Sequence, residues 1–565
     1  MHATLFSILL LLLLFPHNEF HFIIDNMRKY DDEEQENEEE KRRQRFFNDH
    51  GKYNIIELIM TDDATDVKEL VLKNDNLTDD DVALLNNFSS LRMLQFGDWS
   101  MTTKMNITGF TFNLLPTSLE ELVIGKIYLT DAGIANLWHL IKLKKLEIEF
   151  STDITGSTFN LLPINLEELE LLGLPSLTDV SIANLQHLTV LKKLMIQGGS
   201  IVTGSTFNLL PTSLEELELN CMFKLTDTGI ARVHHLTNLK KLRIEFSADI
   251  TGSTFNLLPI SLEELELSNV NLTDAGIAKL QGLIKLKRLK VNGKFITGTT
   301  FNLLPTSLEE LELSNVNLTD AGIAKLQGLI KLKRLKVNDK FITGSTFNLL
   351  PSSLEELELN GMNSLTDAGI ANLHHLKNLR KLKIKGSNTG ITGSTFNLLP
   401  KSLEDLELND MNSLTDASIA DLRQLIKLKK LKIEAAFGGI TGSTFNLLPL
   451  NLEELMLIRV SFLTDAGIAK LRFLTNLKKL EMMWLDNITG STFNLLPSSL
   501  EELMLIRVSF LRDAGIGNLQ HLTNLKMLDI ASCRLLTNRA FYSLPMSLQD
   551  VLKVRNCERA NETIC

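Results

Sequence analysis

Acidic and basic side chains recur at fixed spacing along this chain. In words of the form Leu-x-x-Leu-x-Leu, the third and fifth positions carry pairs such as Glu216/Glu218, Glu264/Glu266 and Glu310/Glu312. In the words between them they carry Lys241/Arg243, Arg288/Lys290 and Arg334/Lys336. Paired carboxylates are the raw material of general acid–base chemistry. Repeated at every strand, however, they form a pattern and not a dyad. Alternate residues of a strand share a face, so the pairs should build a charge-balanced ladder of Glu and Lys/Arg columns, solvated and self-neutralising. His234–His235 and His374–His375 are adjacent on a helical segment, and such neighbours do not converge on one metal ion. The chain has no G-x-G-x-x-G after a strand, phosphate loop, H-E-x-x-H or G-x-S-x-G. No catalytic, cofactor-binding or metal residue is assigned. The reading is a non-enzyme without cofactor or small-molecule substrate.

The alternation breaks near the C-terminal end. There the outward positions of three successive words hold Met456, Ile458 and Arg459, then Met483 and Trp484, then Met504, Ile506 and Arg507. An apolar patch rimmed by arginine and containing tryptophan has the composition of a protein contact. These residues are the candidate partner-binding site. "EELMLIRVSFL" occurs at 453–463 and again at 501–511, so duplication accounts for part of the patch. Trp484 lies outside the copied words.

The elements that must position these residues follow from the spacing. The middle of L-x-x-L-x-L is a short strand with its leucines on one face. A single such strand cannot bury that face, so copies must stack into a parallel sheet over a shared core. Each repeat is about 24 residues long. The connector "LTDAGIANL" opens with an N-cap pair and continues at helical spacing, which predicts a short helix, for example over Ala368–Leu373. "ITGSTFNLLP" predicts a tighter 3₁₀ turn with Phe396 and its equivalents packed inward. Wide connectors outside and narrow strands inside should bend the stack into an arc.

"LTDAGIANLHHLKNLRKLKI" is similar to the L-T-D-x-G-L units of bacterial leucine-rich repeat proteins and to the cysteine-containing repeats of F-box proteins. "LPSSLEELEL" resembles the L-P-x-S-L-x-x-L type. The resemblance covers roughly 65–552. It implies an α/β fold: a leucine-rich repeat solenoid, a curved horseshoe with a parallel β-sheet on the concave face and short helices and 3₁₀ turns on the convex face. It also implies a protein partner bound on the concave face. An intracellular adaptor of the F-box type, presenting substrates for ubiquitination, is the alternative. The chain departs from the common repeat where Asn or Cys follows the second Leu by five residues. That site holds Val270, Val316, Met362 or Met411, so the asparagine ladder is missing and the inner turn must satisfy its backbone differently.

The 565 residues divide into a signal peptide at 1–20, a charged acidic linker at 21–52, a solenoid of about 21 repeats at 53–552 and a tail at 553–565. Leu5 to Phe15 form an apolar run of signal-peptide length, which points to secretion, with a cytoplasmic location as the alternative. Membrane contact is expected only if that signal stays uncleaved. The net charge of -11, to which the run at 30–43 contributes eight acidic and three basic residues, gives no basic bias toward nucleic acid. Cys221 lies thirteen strands from the strand before Cys533, roughly 60 Å at about 4.8 Å per strand. A disulfide tolerates only about 7 Å between Cα atoms, so Cys221 must be unpaired within the chain. A Cys557–Cys565 bridge and a fully reduced set both remain open. Sequons at Asn76, Asn87, Asn106, Asn271, Asn317, Asn487 and Asn561 are glycosylation candidates if the chain is exported by a eukaryotic cell.

Overall fold

The computed structural model describes residues 67–555 apart from 74–75, 98–102, 387–389, 436, 543, 545 and 551. The chain divides into two units, Met1–Leu58 and Ile59–Cys565. The expected signal peptide and acidic linker lie outside the described residues, as do Cys557, Cys565 and Asn561.

Among the described residues, twenty-one strands, from Glu69–Leu72 to Leu552–Arg555, form one sheet, and each pairs in parallel with its neighbours in sequence. The register never slips between words. Leu289 pairs with Leu311, and Leu311 with Leu335, so every motif position becomes a column across the sheet. The leucines of the motif are buried, as expected. Fully burying one Leu stabilises by about 1.5–3 kcal/mol, and no single strand could collect that gain alone.

The connectors follow the predicted plan. In the repeat chosen above, a helix spans Asp367–Ala371 and passes into a 3₁₀ turn at Asn372–His375. The helix is therefore shorter than its apolar spacing predicts. The Nε2 of His375 meets the Leu350 carbonyl oxygen of the preceding turn at 3.0 Å, and its Nδ1 meets the Asn372 carbonyl oxygen at 3.1 Å, which anchors the tightened end. Thr366 is the N-cap, its side chain accepting from Gly369 N. The second connector makes the 3₁₀ turn Phe396–Leu398, and from Phe112 to Phe493 the phenylalanine of each such turn is fully buried. One word departs from its expected place. By its leucine spacing the last, degraded word "SLQDVLKV" starts at Leu548; that residue instead lies in a helix at Met546–Gln549, and the strand begins at Leu552. Leu552 pairs with Leu528, so the spacing there is one residue too long and the surplus is taken up in the helix.

Two devices replace the missing asparagine ladder. After most strands the next residue adopts a left-handed backbone, as at Phe246 (φ 52°) and Arg459 (φ 54°). Its N–H then donates to a carbonyl near the end of the following strand: Phe246 N to Ser268 O at 3.0 Å, Arg459 N to Met483 O at 2.9 Å. The second device is an aspartate clasp. Asp320, the first residue of its helix, accepts from Gly344 N at 2.9 Å and from Thr343 Oγ1 at 2.7 Å, while Thr346 Oγ1 donates to the Asp320 carbonyl at 2.6 Å. Equivalent bonds to a following Thr recur from Asp79 to Asp513. The clasp needs glycine where it closes: Gly344 has φ 83°, and a Cβ there would stand 2.6 Å from Gly369 Cα.

Hydrogen bonds to a charged acceptor contribute about 1.5–3 kcal/mol each, so Asp320→Ala is expected to lower stability by at least about 2 kcal/mol. Hydrogen exchange should show faster exchange at Thr343 and Gly344, with the amides of the Arg334–Asn338 strand still protected. Unchanged protection at Thr343 and Gly344 would show that the clasp carries no load.

Candidate functional site

The face of the sheet opposite the leucine core carries the third and fifth motif positions. At its C-terminal end, the strands Glu454–Ile458, Lys479–Leu485 and Glu502–Val508 bring the predicted patch together. Ile458 pairs with Met483 and Met483 with Ile506, giving one apolar row. Met456 and Met504 both pair with Glu481, so a carboxylate stands between the two methionines. Glu481 is only 7% exposed, and Lys479 Nζ lies 3.0 Å from its Oε1. Trp484, 41% exposed, has a left-handed backbone (φ 60°). The guanidinium of Arg507 lies 4.0 Å from its ring centroid and that of Arg459 lies 5.4 Å away. All eight sequence-assigned residues thus meet on one surface. The sequence reading missed the stacking, which depends on the left-handed turn.

The charge ladder is present, but it is not solvated throughout. Arg334 bridges Glu310 (3.1 Å) and Glu356 (3.3 Å) on its two neighbouring strands, as the alternation predicts. Farther along, Glu218 and Glu266 are buried, with Arg243 near both and 2.9 Å from Glu245. This corrects the expectation of a solvent-washed face: long side chains about 5 Å apart cover one another. A second ladder, at the second motif position, was overlooked. It pairs Lys240 with Glu215, Lys287 with Glu263 and Lys333 with Glu309 at 2.5–2.8 Å. The alternation at that position is equally visible in the words.

Another omission is an acidic cluster where the alternation fails. Glu147 stands where other repeats place Lys or Arg, and it pairs across the sheet with Glu170. Burial, then a hydrogen bond with Glu149 and the charge of Glu170, push the Glu147 carboxyl up to about 8. Burial also raises Glu149. The word "LKKLEIEF" carried this signal.

The remaining candidates are placed simply. Cys221 is a free thiol, as expected, and burial followed by the charge of Glu245 pushes it up to about 11, which makes it a poor nucleophile. Cys533 is buried, its thiol donating to the Leu505 carbonyl oxygen at 3.5 Å. Asn76, Asn87, Asn106, Asn271, Asn317 and Asn487 are all exposed. His235 Nε2 meets the Leu210 carbonyl oxygen at 2.9 Å, a structural contact. Among the described residues no group of His, Cys, Asp or Glu is placed to hold a metal ion, and no helix is long and apolar enough to cross a membrane.

One strand per leucine word, in unbroken parallel register over a shared core, defines a leucine-rich repeat solenoid. No family model matches the chain, and no curated relative matches it. Among the solved structures it is similar to is an internalin (inlF) from Listeria monocytogenes, 16% identical, with 76% of this chain and 93% of that chain covered and a TM-score of 0.35.

Because the Glu147 carboxyl is raised on folding, its contribution to stability is fully present below its ordinary value of 4.5 and is lost as pH rises toward about 8. Glu147→Gln, which keeps the shape and removes the charge, should raise the melting temperature at pH 8 and leave it nearly unchanged at pH 4.5. Parallel melting curves for both proteins across that range would refute the assignment.

Proposed function

We propose that this chain is a non-enzymatic, secreted solenoid that recognises a protein partner through the open face of its sheet, with the Trp484 patch as the principal contact. The observation that carries this reading is the surface itself. Elsewhere the face is largely a closed system of Glu–Lys and Glu–Arg pairs. Here an apolar row and a stacked, exposed tryptophan replace the pairing. Buried aromatic and arginine anchors dominate binding energies at protein interfaces. Secretion is supported by the apolar run Leu5–Phe15 and by the exposure of the six described sequons, which we assign as glycan sites in an exported chain. A Cys557–Cys565 bridge would suit that compartment.

Capture on immobilised full-length protein compares wild type with Trp484→Ala and Met483→Glu. A hot spot loses at least about 2 kcal/mol on truncation, roughly thirtyfold in affinity. Each substitution should therefore deplete the same captured protein by more than tenfold. Equal recovery on all three surfaces overturns the assignment of the patch. Mass spectrometry of the mature N-terminus checks export, with the expected chain lacking Met1.

A further inference from the structure

Around the patch, the charges are unevenly matched. Every carboxylate on the neighbouring strands has a partner. Glu434 faces Arg459 at 3.2 Å, Glu454 faces Lys430 at 2.8 Å, and Glu481 and Glu502 share Lys479. Asp529 faces Arg555 at 2.6 Å, and Asp486 accepts from Ser509 Oγ at 2.7 Å. On the same strands, three cations form no ion pair or hydrogen bond among the described residues: Lys432, Arg507 and, in register with Asp529, Lys553. Lys432 and Arg507 flank the apolar row, Lys432 standing in register between Glu407 and Met456. The described contact of Arg507 is the Trp484 ring.

An arginine stacked on an aromatic ring has already lost much of its side-chain freedom, while the N–H donors at the edge of its plane stay open. That edge matches a carboxylate bidentately. Resting on the proposed protein-binding role of the patch, we infer that the partner contributes an acidic–apolar segment: a carboxylate on Arg507, an apolar side chain on the row Ile458–Met483–Ile506, and a second carboxylate toward Lys432. Lys432 lies three strands from Arg507, about 14 Å across the sheet, and three residues before it in register, about 10 Å along it, so the two backbone positions are roughly 17 Å apart. In an extended segment every second side chain faces the same way, so acid, apolar and acid at alternate positions span about 14 Å, and the long Lys and Arg side chains cover the difference. Three unmatched cations on an acidic chain are too few for a phosphate backbone, whose binding rests on many such contacts. A polypeptide fits the surface better than a nucleic acid or an anionic membrane does.

The test uses the full chain and fluorescence anisotropy with two labelled peptides, one repeating Glu-Ser-Leu-Ser and one with Gln in place of Glu. A labelled oligothymidylate and phosphatidylserine vesicles serve as phosphate probes. At 50 mM salt the Glu peptide should bind at least tenfold tighter than the Gln peptide, and the advantage should shrink at 300 mM. Arg507→Gln should cut that advantage at least threefold, and Arg507→Gln combined with Lys432→Gln should abolish it and leave weak binding of both peptides; coincident thermal melts would verify their fold. Met483→Glu should remove binding of both. The inference fails if the two peptides bind equally, if the advantage survives the double substitution, if neither peptide binds, or if a phosphate probe binds tighter. Equal binding of both peptides that is still lost on Met483→Glu overturns the charge preference alone. Peptide binding insensitive to Met483→Glu overturns the protein-binding role of the patch as well.

Discussion

A strand of five residues with leucines on one face has nowhere to hide them except against copies of itself. The rest of the molecule depends on that constraint. Stacking at about 4.8 Å without a register slip is the arrangement in which leucine meets leucine in every copy, and it turns each motif position into a column. Stability is then shared between nearest neighbours. The aspartate clasps reinforce the same coupling from the connector side, because each ties the start of one helix to the turn that follows the next strand.

The columns also explain the open face. Charges placed on one short strand are obliged to meet whatever the next word places there. Alternation of Glu and Lys or Arg is the arrangement that avoids like charges side by side. It succeeds so closely around Arg243 that the carboxylates of Glu218 and Glu266 leave solvent. Where it fails, at Glu147 and Glu170, the protein holds a carboxyl whose charge it disfavours. Such a cluster costs stability near neutral pH, and nothing in the leucine core requires it.

What could be read in the words was what spacing alone decides: strand per word, inward leucine and phenylalanine, Thr-capped helices, and the outward positions of the patch. What could not be read depends on distances between words. The Asp of "LTD" reads as half of an N-cap pair, and only the approach of the next "ITG" makes it a clasp. The strand at Leu552 escaped because "SLQDVLKV" has one residue too many between its leucines, and the word match favoured Leu548. The stack on Trp484 was hidden for a similar reason, since it needs a left-handed backbone at a tryptophan, a conformation that sequence pattern does not announce.

Duplication sharpens this point. Arg459 and Arg507 are the same letter of the same copied word, with the same left-handed backbone and the same aromatic neighbour. They differ because the strand preceding each is different. Glu434 stands in register with Ile458 and neutralises Arg459, whereas the corresponding residue before Ile506 is Met483, which leaves Arg507 without a counter-ion. One word, set after two different neighbours, therefore yields a satisfied arginine in one place and an available one in the other. In a stacked array, a surface with new chemistry does not require a new repeat; it requires an old repeat placed beside a different one.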